Sequence, residues 1–554
     1  MKRFLSNVFS SHVALSEESL SKILTPQTQT LYQQALTHKS FDRKKNYEYL
    51  EFQGDVVVNT IIVQYLKKRF PKISSVKWFT KLKHNLASKS FLSKVGEGLF
   101  PRELIRHNLE NPSVHERESL YEDMFEAFIG VTKIVFDSFF EKGTGYAISY
   151  YLVESLFNEI PLDISASKVF DAKTLLKEIY DNYKWNFEKN FNKQSRRSGE
   201  TFVSVVGYVH GDQTVTRENE KVIAKAFHKN TLVAQNTAAE IALRSLSRYG
   251  IEPKLPSPYQ ELSFELGPED SVPTITISDD LVVVIRSLLF RSGMNCDLVE
   301  KISSDSLSLF EFQKSLTDKT YHPLFNSNLH KILGITIVDM GVISYLVRKF
   351  PELSPDKKDP RVPLSSEKWL TTIKHRLIST GVLYEFAVKS RIPKFVLFGK
   401  QTQESFEKYG TDSSEYRSTI ESAFKALMGA LSSQIEKYQP IGVGMETVSR
   451  ILTSFLEETP ISTKIEDVVD AKTRLKELYD KLGWRLDKNI SSQFNTETNL
   501  HIIEIYGFPL GDRRPYPKNR VLLSQKEGRT KKDATQKASK EALGVLSSKY
   551  RIGS

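Results

Sequence analysis

Apolar residues follow two different spacings along this chain of 554 residues. Residues 10–160 and 276–460 show the three- and four-residue spacing of amphipathic helices, and neither stretch has a convincing alternating strand pattern. Within the first, LEFQGDVVVNTIIVQYLKKRF predicts a long and largely buried helix that ends before Pro71, because the residue preceding a proline disfavours helix. Both stretches are therefore predicted to be all-α.

Two shorter stretches, 168–250 and 467–552, combine helical and alternating patterns. Each opens with a helix such as KTLLKEIYDNY, continues with alternating segments such as TFVSVVGYVHG or LHIIEIYGFPLG, and closes with an Ala-rich helix. This order of helix, three strands and helix predicts a small α+β module. The predicted fold class is therefore multidomain, with all-α domains alternating with small α-β-β-β-α domains.

The chain also repeats itself. DAKTLLKEIYDNYKW at 171–185 returns as DAKTRLKELYDKLGW at 470–484 with ten of fifteen positions identical, and shorter motifs such as KHNLAS and KHRLIS return in the same order. A repeat offset of 299 residues is far longer than a solenoid repeat, so it indicates two copies of a two-domain unit. The predicted boundaries are 10–160, 168–250, a Pro-containing linker at 251–275, 276–460 and 467–552.

The excess positive charge is concentrated in the two α+β stretches. The whole chain carries 78 Lys and Arg against 67 Asp and Glu, a net charge of +11. Residues 168–250 contribute +5 and residues 467–554 contribute +7, so the rest of the chain is close to neutral. Positive charge confined to two short stretches indicates a polyanionic partner, and nucleic acid is the usual one.

Other features of composition restrict the class of protein. The single cysteine, Cys296, excludes an intrachain disulfide and a Cys-based zinc cluster. It favours a reducing intracellular compartment, the cytoplasm first, with the nucleus and the mitochondrion left open. Apolar runs such as 280–290 are interrupted by charge and too short for a bilayer, so no membrane partner is expected. The basic, Ser-rich N-terminus lacks the apolar core of a secretory signal, and a transit peptide stays an alternative.

Two acidic clusters fall within the helical pattern of the first half. Glu48, Glu51 and Asp55 are spaced for one face of the long predicted helix, and Asp123 and Glu126 share a face of a second, more apolar helix. A solvated helix face is the simplest interpretation of any one pair. However, the surrounding runs are apolar, and no Lys or Arg stands four residues from the last four of these acids. Oxygen ligands without Cys or His favour Mg²⁺, with Mn²⁺ as a substitute, over zinc.

Three motifs in this half, ALTHKSF at 35–41, NYEYLEFQGDVVVN at 46–59 and YEDMFEAFIG at 121–130, together resemble the catalytic domain of ribonuclease III. The α+β module resembles the double-stranded-RNA-binding domain that accompanies it. The resemblance implies a supporting role for Glu48 and a catalytic, Mg²⁺-holding role for Glu51, Asp55, Asp123 and Glu126. The metal would activate a water and stabilise charge on phosphorus, leaving 5′-phosphate and 3′-hydroxyl ends. A further acid that family members often carry would fall near Val76, where this chain has none.

The second half lacks this acid set. At the aligned positions Asn328 replaces Glu48, Lys331 replaces Glu51, Ile335 replaces Asp55, Ser422 replaces Asp123 and Lys425 replaces Glu126. Because a lysine cannot activate water as Mg²⁺ does, the second copy is expected to keep the fold without the activity. Family catalytic domains work as pairs, so the resemblance implies an internal pseudo-dimer with one active centre, with a homodimer of two chains as the alternative.

The start of the last predicted helix carries the expected RNA contacts. In GRTKKDATQKASKEAL, Arg529, Lys531 and Lys532 match the basic residues with which double-stranded-RNA-binding domains reach phosphates across the major groove. The first module has Thr231 and Leu232 at the positions of the two lysines. That module is therefore expected to bind RNA weakly or to act as a spacer.

Together these features favour a Mg²⁺-dependent endoribonuclease that acts on double-stranded RNA by nicking or by site-specific processing. The alternative is a non-catalytic RNA-binding protein, such as a ribosome component or a silencing suppressor that sequesters duplex RNA. The complete acid set of the first copy favours the enzyme, because a scaffold has no evident reason to keep four carboxylates in apolar helices.

Overall fold

The computed structural model is mainly helical and contains two small antiparallel sheets. The structure describes residues 1–195, 199–254, 258, 277–322, 325–351, 366–411, 413–461, 469–496 and 498–552. Most of the predicted linker at 251–275 lies outside the described residues. The chain divides into two compact units, Met1–Glu367 with Leu377–Phe455, and Lys368–Arg376 with Leu456–Ser554.

The first helical segment is built around two long helices, α4 and α7. Its helices are α1 (Lys2–Val13), α2 (Glu17–Ile23), α3 (Pro26–Ala35), α4 (Glu48–Arg69), α5 (Val76–Leu86), α6 (Lys89–Leu99), α7 (Val114–Phe139) and α8 (Thr144–Asn158), with a 3₁₀ turn at Arg102–Leu104. α4 ends at Arg69, before Pro71, as predicted. Its middle is buried on all sides, which explains why its sequence shows no polar stripe there. α7 begins with a capping box in which Ser113 and Glu116 satisfy each other's backbone donors.

The first helix extends this segment beyond the predicted boundary at residue 10. α1 begins at Lys2 and buries Leu5, Val8 and Phe9. The ring of Phe9 packs edge-on against the ring of Phe136, with centroids 5.3 Å apart. The N-terminal residues therefore contribute to the hydrophobic core, which their basic and Ser-rich composition did not indicate.

The first α/β module follows directly and is fastened to the helical segment. Its elements are α9 (Ala166–Val169), α10 (Ala172–Asn182), α11 (Phe187–Asn190), β1 (Phe191–Ser195), β2 (Thr201–Tyr208), β3 (Glu220–His228) and α12 (Thr231–Ser247). The strands form an antiparallel sheet in the order β1-β2-β3. Lys81 of α5 lies 2.8 Å from Asp171, and the rings of Trp78 and Phe170 meet edge-on at 4.9 Å.

The second helical segment is also built around two long helices, α16 and α20. Its helices are α13 (Asp279–Arg291), α14 (Cys296–Ser304), α15 (Ser306–Ser315), α16 (Asn328–Lys349), α17 (Ser366–Leu377), α18 (Thr380–Lys389), α19 (Lys400–Tyr409), α20 (Ser414–Ile435) and α21 (Val443–Glu457), with a 3₁₀ turn at Ile392–Phe395. Only glycine fits where α16 crosses α20, because a Cβ on Gly334 would overlap the carbonyl oxygen of Lys425.

One helix, α16, is long and apolar enough to cross a bilayer, so the expectation that every apolar run is too short is wrong for this helix. By length and composition this helix passes the test for a membrane span, and it is the single one to do so among the described residues. About two-thirds of the tested stretch is buried inside the protein, where α16 packs against α20 and α4. Asp339 is the only charged residue between Lys331 and Arg348, because a helix buried on all sides carries few charges in its middle.

The second α/β module has the same element order as the first. It consists of α22 (Ala471–Lys481), β4 (Ile490–Asn495), β5 (Leu500–Gly507), β6 (Val521–Gly528) and α23 (Lys531–Tyr550), with 3₁₀ turns at Leu486–Lys488 and Pro517–Asn519. Its strands are antiparallel in the order β4-β5-β6. Ala534, Ala538 and Ala542 of α23 are buried against the sheet, because small side chains let a helix pack closely.

Candidate active site

The helices α4 and α7 approach each other at two glycines. A Cβ on Gly54 would overlap the carbonyl oxygen of Glu126, and a Cβ on Gly130 would lie 2.6 Å from the carbonyl oxygen of Leu50. Only glycine allows main chains to approach this closely. The contact brings together the acidic residues of two helices that are far apart in sequence.

The acids of α4 and α7 influence one another across this contact. Burial, followed by the charges of Asp123, Glu48, Asp55 and Glu122, raises the pKa of Glu51 to about 8. Residues from both helices contribute to this shift, so the predicted acids lie within electrostatic range of each other.

Glu126 is the most buried member of the predicted acid set, with 8% of its surface exposed. Burial and the charges of Asp55, Glu122, Glu51 and Asp123 raise the pKa of Glu126 well above its usual value. Burial also raises the pKa of Asp123 to about 6, although a hydrogen bond to that carboxylate opposes the shift. A cluster of this kind resists full ionisation unless a cation joins it.

Two neutral side chains orient the acids, and the sequence interpretation missed both. The Tyr47 hydroxyl donates to Oδ2 of Asp123 at 3.0 Å. The Asn59 side chain donates from Nδ2 to Oδ1 of Asp55 at 2.7 Å. Asn59 stands four residues after Asp55 on α4, a spacing that could have revealed it, whereas the contact of Tyr47 with α7 depends on tertiary packing.

Two lysines stand at the edge of the cluster. Nζ of Lys39 lies 2.7 Å from Oε1 of Glu48, and Nζ of Lys89 lies 3.1 Å from Oε2 of Glu122. Glu48 therefore forms a partly exposed ion pair, and its supporting role stays a prediction. Glu122 was not among the predicted residues, although it precedes Glu126 by one helical turn.

The chemistry of this cluster fits a hard divalent cation. Its donors are carboxylate oxygens, which Mg²⁺ prefers, and a cation would relieve their mutual repulsion. As the side chains lie, no three His, Cys, Asp or Glu residues of the described ranges are placed so that they could hold one metal ion. The sharing of one Mg²⁺ by Glu51, Asp55, Asp123 and Glu126 therefore stays a prediction.

Comparison with known proteins identifies the first helical segment. A family model described as "Ribonuclease-III-like" matches residues 28–147, which contain all of α4 and α7. A putative ribonuclease 3 of Invertebrate iridescent virus 6 is 32% identical over 193 residues, which make up 32% of this chain and 65% of the virus protein. This part of the chain is therefore similar to ribonuclease III proteins.

Bacterial proteins show the same ribonuclease III likeness. Ribonuclease 3 of Francisella tularensis subsp. novicida is 36% identical over 150 residues, which are 27% of this chain and 62% of that protein. The solved nuclease domain of ribonuclease III from Campylobacter jejuni is 27% identical, with 25% of this chain and 92% of that one covered at a TM-score of 0.22. The chain thus spans less than two-thirds of the length of the curated relatives it matches.

The α16–α20 pair lacks the acids of a ribonuclease III centre. Nζ of Lys331 donates to Oγ of Ser422 at 2.7 Å, and Lys425 forms an ion pair with Glu421. Burial lowers the pKa of Lys331, although the charge of Glu421 opposes the shift. Two lysines and a serine thus stand in the region where the α4–α7 pair has carboxylates.

Polar contacts join the two helical segments near the end of α4. The Gln64 side chain donates to Oε2 of Glu436 at 3.1 Å and accepts a hydrogen bond of 2.8 Å from the Tyr146 hydroxyl. Nζ of Lys67 donates to Oγ of Ser433 at 3.1 Å. Burial raises the pKa of Glu436 to about 7, although these neighbours oppose the shift. The two segments therefore share a buried polar network.

A pair of glycines adds a reciprocal main-chain contact between the segments. A Cβ on Gly143 would lie 2.9 Å from the carbonyl oxygen of Gly442, and a Cβ on Gly442 would collide with the carbonyl oxygen of Gly143. Their φ angles are +97° and +96°, a region that favours glycine. Asp137 accepts the N–H of Gly143, and Glu436 accepts the N–H of Gly442.

The predicted RNA contacts of the second α/β module are at its surface. Lys531 and Lys532 are the first two residues of α23, and both are exposed, as is Arg529. In the first module the Thr231 hydroxyl is hydrogen-bonded to another threonine at 2.8 Å, and Leu232 is 69% exposed. The two modules thus present different chemistry at the start of their closing helices.

Proposed function

We propose that this chain is a Mg²⁺-dependent endoribonuclease that cleaves double-stranded RNA to 5′-phosphate and 3′-hydroxyl ends at one centre on α4 and α7. The partly buried acid cluster carries the proposal, because burial and neighbouring carboxylates raise the pKa values of Glu51, Asp123 and Glu126 together. Such clusters are unfavourable for folding, and they are typical of functional sites. The ribonuclease III relatives support the same chemistry.

Each residue of the cluster has a proposed role. The Mg²⁺ ligands are Glu51, Asp55, Asp123 and Glu126. A Mg²⁺ ion held by these residues would supply an activated water and would stabilise the charge that develops on phosphorus. Tyr47 and Asn59 orient Asp123 and Asp55 through the hydrogen bonds they donate, so they act as positioning residues. Glu48 supports the site through its pairing with Lys39.

We further propose that the chain is a duplication whose two helical segments form an internal pseudo-dimer. Both long-helix pairs cross at a glycine, at Gly54 and at Gly334, that contacts the partner helix's main chain. Equivalent isolated parallel bridges join Thr37 to Arg106 and Thr317 to Leu397. Because lysines replace two carboxylates in the second pair, such a pseudo-dimer has one active centre and cuts one strand per binding event.

The proposed RNA grip is in the second α/β module. Positive charge is placed at the start of α23 by Arg529, Lys531 and Lys532, and the helix dipole adds to it. Basic residues at such a position bind an A-form duplex through its phosphates rather than through its base edges. The first module, which lacks the two lysines, is proposed to serve as a spacer packed against α5.

The test uses the full chain with Mg²⁺ and an RNA duplex labelled on either strand. Asp55→Asn and Glu126→Gln are expected to reduce cleavage by about a hundredfold or more while duplex binding is retained. Glu103→Gln, which changes an exposed acid of the same segment, is the matched control and should cleave like the unmodified chain. New ends should carry 5′-phosphates.

Four outcomes would contradict the proposal or one of its parts. Unchanged cleavage in both acid variants would remove the assigned centre, and binding without any cleavage by the unmodified chain would favour the scaffold alternative. Staggered cuts in both strands by a monomeric chain would refute the single centre. Staggered cuts by a dimer would indicate that two chains pair through their first helical segments.

A further inference from the structure

The two long-helix pairs carry opposite net charge at the same place in the fold. The first pair gathers six carboxylates and three lysines, a formal excess of three negative charges: Glu48, Glu51, Asp55, Glu122, Asp123, Glu126, Lys39, Lys83 and Lys89. The second gathers three lysines and two carboxylates, which leaves one positive charge in excess: Lys331, Lys425, Lys319, Glu421 and Asp318. Loss of the metal could have been balanced by neutral side chains, so the presence of lysines calls for an explanation.

The lysines of the second pair differ in how their charge is balanced. Lys425 and Glu421 form an ion pair in which both side chains are largely buried, at 13% and 10% exposure. Lys331 makes its hydrogen bond to the neutral hydroxyl of Ser422, and among the described residues no carboxylate oxygen lies within 4 Å of its Nζ. The carboxylates of Glu421 and Asp318 thus act on Lys331 only from a distance, and its direct partner is a neutral hydroxyl.

We propose that Lys331 and Ser422 form a phosphate site that holds a backbone phosphodiester of the RNA strand that is not cut. An ammonium and a hydroxyl that can each donate to one oxygen suit an anion. Both side chains are partly exposed, so the site is open to a ligand. The inference rests on the proposed function, because the duplex must lie across both helical segments to reach α16 and α20.

The alternative is that Lys331 only fills the space of the missing metal. A filler lysine is best balanced by a buried carboxylate, as Lys425 is by Glu421. Burial instead lowers the pKa of Lys331, so an anion that binds beside it would favour its charged form. The alternative predicts that the lysine affects stability and does not affect the affinity for RNA.

The test measures duplex binding by the full chain carrying Asp55→Asn, so that cleavage does not enter the measurement. The probe is an RNA duplex of about 30 base pairs, longer than the roughly 16 that one double-stranded-RNA-binding domain spans. Lys331→Gln should weaken binding about three- to tenfold and lower the slope of log K against log salt by about one. Lys331→Arg should retain most of the affinity. Lys437→Gln, an exposed lysine past the far end of α20, is the control.

A scan with single uncharged methylphosphonate linkages then locates the phosphate. One linkage on the uncut strand should weaken binding by the chain with Lys331 and should have no further effect on the Lys331→Gln chain. If Lys331→Gln binds every duplex like its parent while remaining folded by circular dichroism, the phosphate site is wrong and the proposed function stands. If the parent chain binds no duplex, the site and the proposed function fail together.

Discussion

Gly130→Ala tests whether the α4–α7 contact sets both stability and catalysis. The added Cβ would lie 2.6 Å from the carbonyl oxygen of Leu50 and 3.0 Å from the nitrogen of Gly54. Both obstacles are main-chain atoms, so no change of rotamer can relieve the overlap. Restoring an ordinary contact of about 3.4 Å requires the helices to separate by roughly 0.8 Å.

The expected loss of stability combines two opposing terms. Overpacking a close contact costs about 1–3 kcal/mol, and replacing glycine by alanine within a helix returns about 1 kcal/mol. A net loss of about 0–2 kcal/mol lowers the Tm by at most roughly 8 °C for a domain of this size. Cleavage should fall about tenfold or more, because the separation moves the acids of α7 away from those of α4.

Two matched variants separate the cost of overpacking from the gain of replacing glycine by alanine in a helix. Gly98→Ala lies in α6, where an added Cβ meets nothing within 4 Å, so it should unfold at the same or a slightly higher temperature. Gly429→Ala makes the equivalent overlap on α20, where the nitrogen of Gly334 would be 2.8 Å away. It should lower the Tm as Gly130→Ala does, with a much smaller effect on cleavage. If Gly130→Ala keeps the parent's Tm in differential scanning calorimetry and its full rate, the helix contact does not position the acids.

Three further predictions concern charge. Glu51 has a raised pKa of about 8 in the folded protein, so folding favours its protonated form. This contribution to stability is complete below the pKa that Glu51 has in the unfolded chain, and it is lost as the pH rises through about 8. Without divalent cations the Tm should therefore fall toward pH 8, Mg²⁺ should raise it more at pH 8 than at pH 6, and a flat profile would contradict the acid cluster. Lys67→Glu places a carboxylate beside Glu436 and should make the junction of the helical segments sensitive to limited proteolysis, whereas Lys67→Met should do so less. Replacing Lys531 and Lys532 by Gln should weaken duplex binding evenly across sequences and lower the salt slope by about two, and an unchanged slope would remove them from the RNA grip.

The local structure could be predicted from the sequence because helical spacing is a local property. The placement of Glu51 and Asp55 on one long helix, and of Asp123 and Glu126 on another, follows from three- and four-residue spacing, and both helices are present. The alternating strands and Ala-rich helices of the α/β modules were equally clear, since burial on one side of a sheet leaves a period of two.

The tertiary contacts could not be predicted in this way. Nothing in the pattern showed that Gly54 and Gly130 bring the two acidic helices into main-chain contact, because close approach depends on the partner helix. The bond from Tyr47 to Asp123 joins residues 76 positions apart, and the Lys89–Glu122 pair joins α6 to α7. Apolar periodicity also failed at the N-terminus, where α1 has only three buried side chains to signal its face.

The facing glycines at 143 and 442 couple the two helical segments sterically. The carbonyl group of each glycine occupies the space that a side chain on the other would need. A larger residue at either position therefore displaces main-chain atoms of both segments, so a substitution in one segment requires an adjustment in the other. Alanine at one of these positions would therefore increase the spacing between the two helical segments, which makes this contact a useful position for engineering.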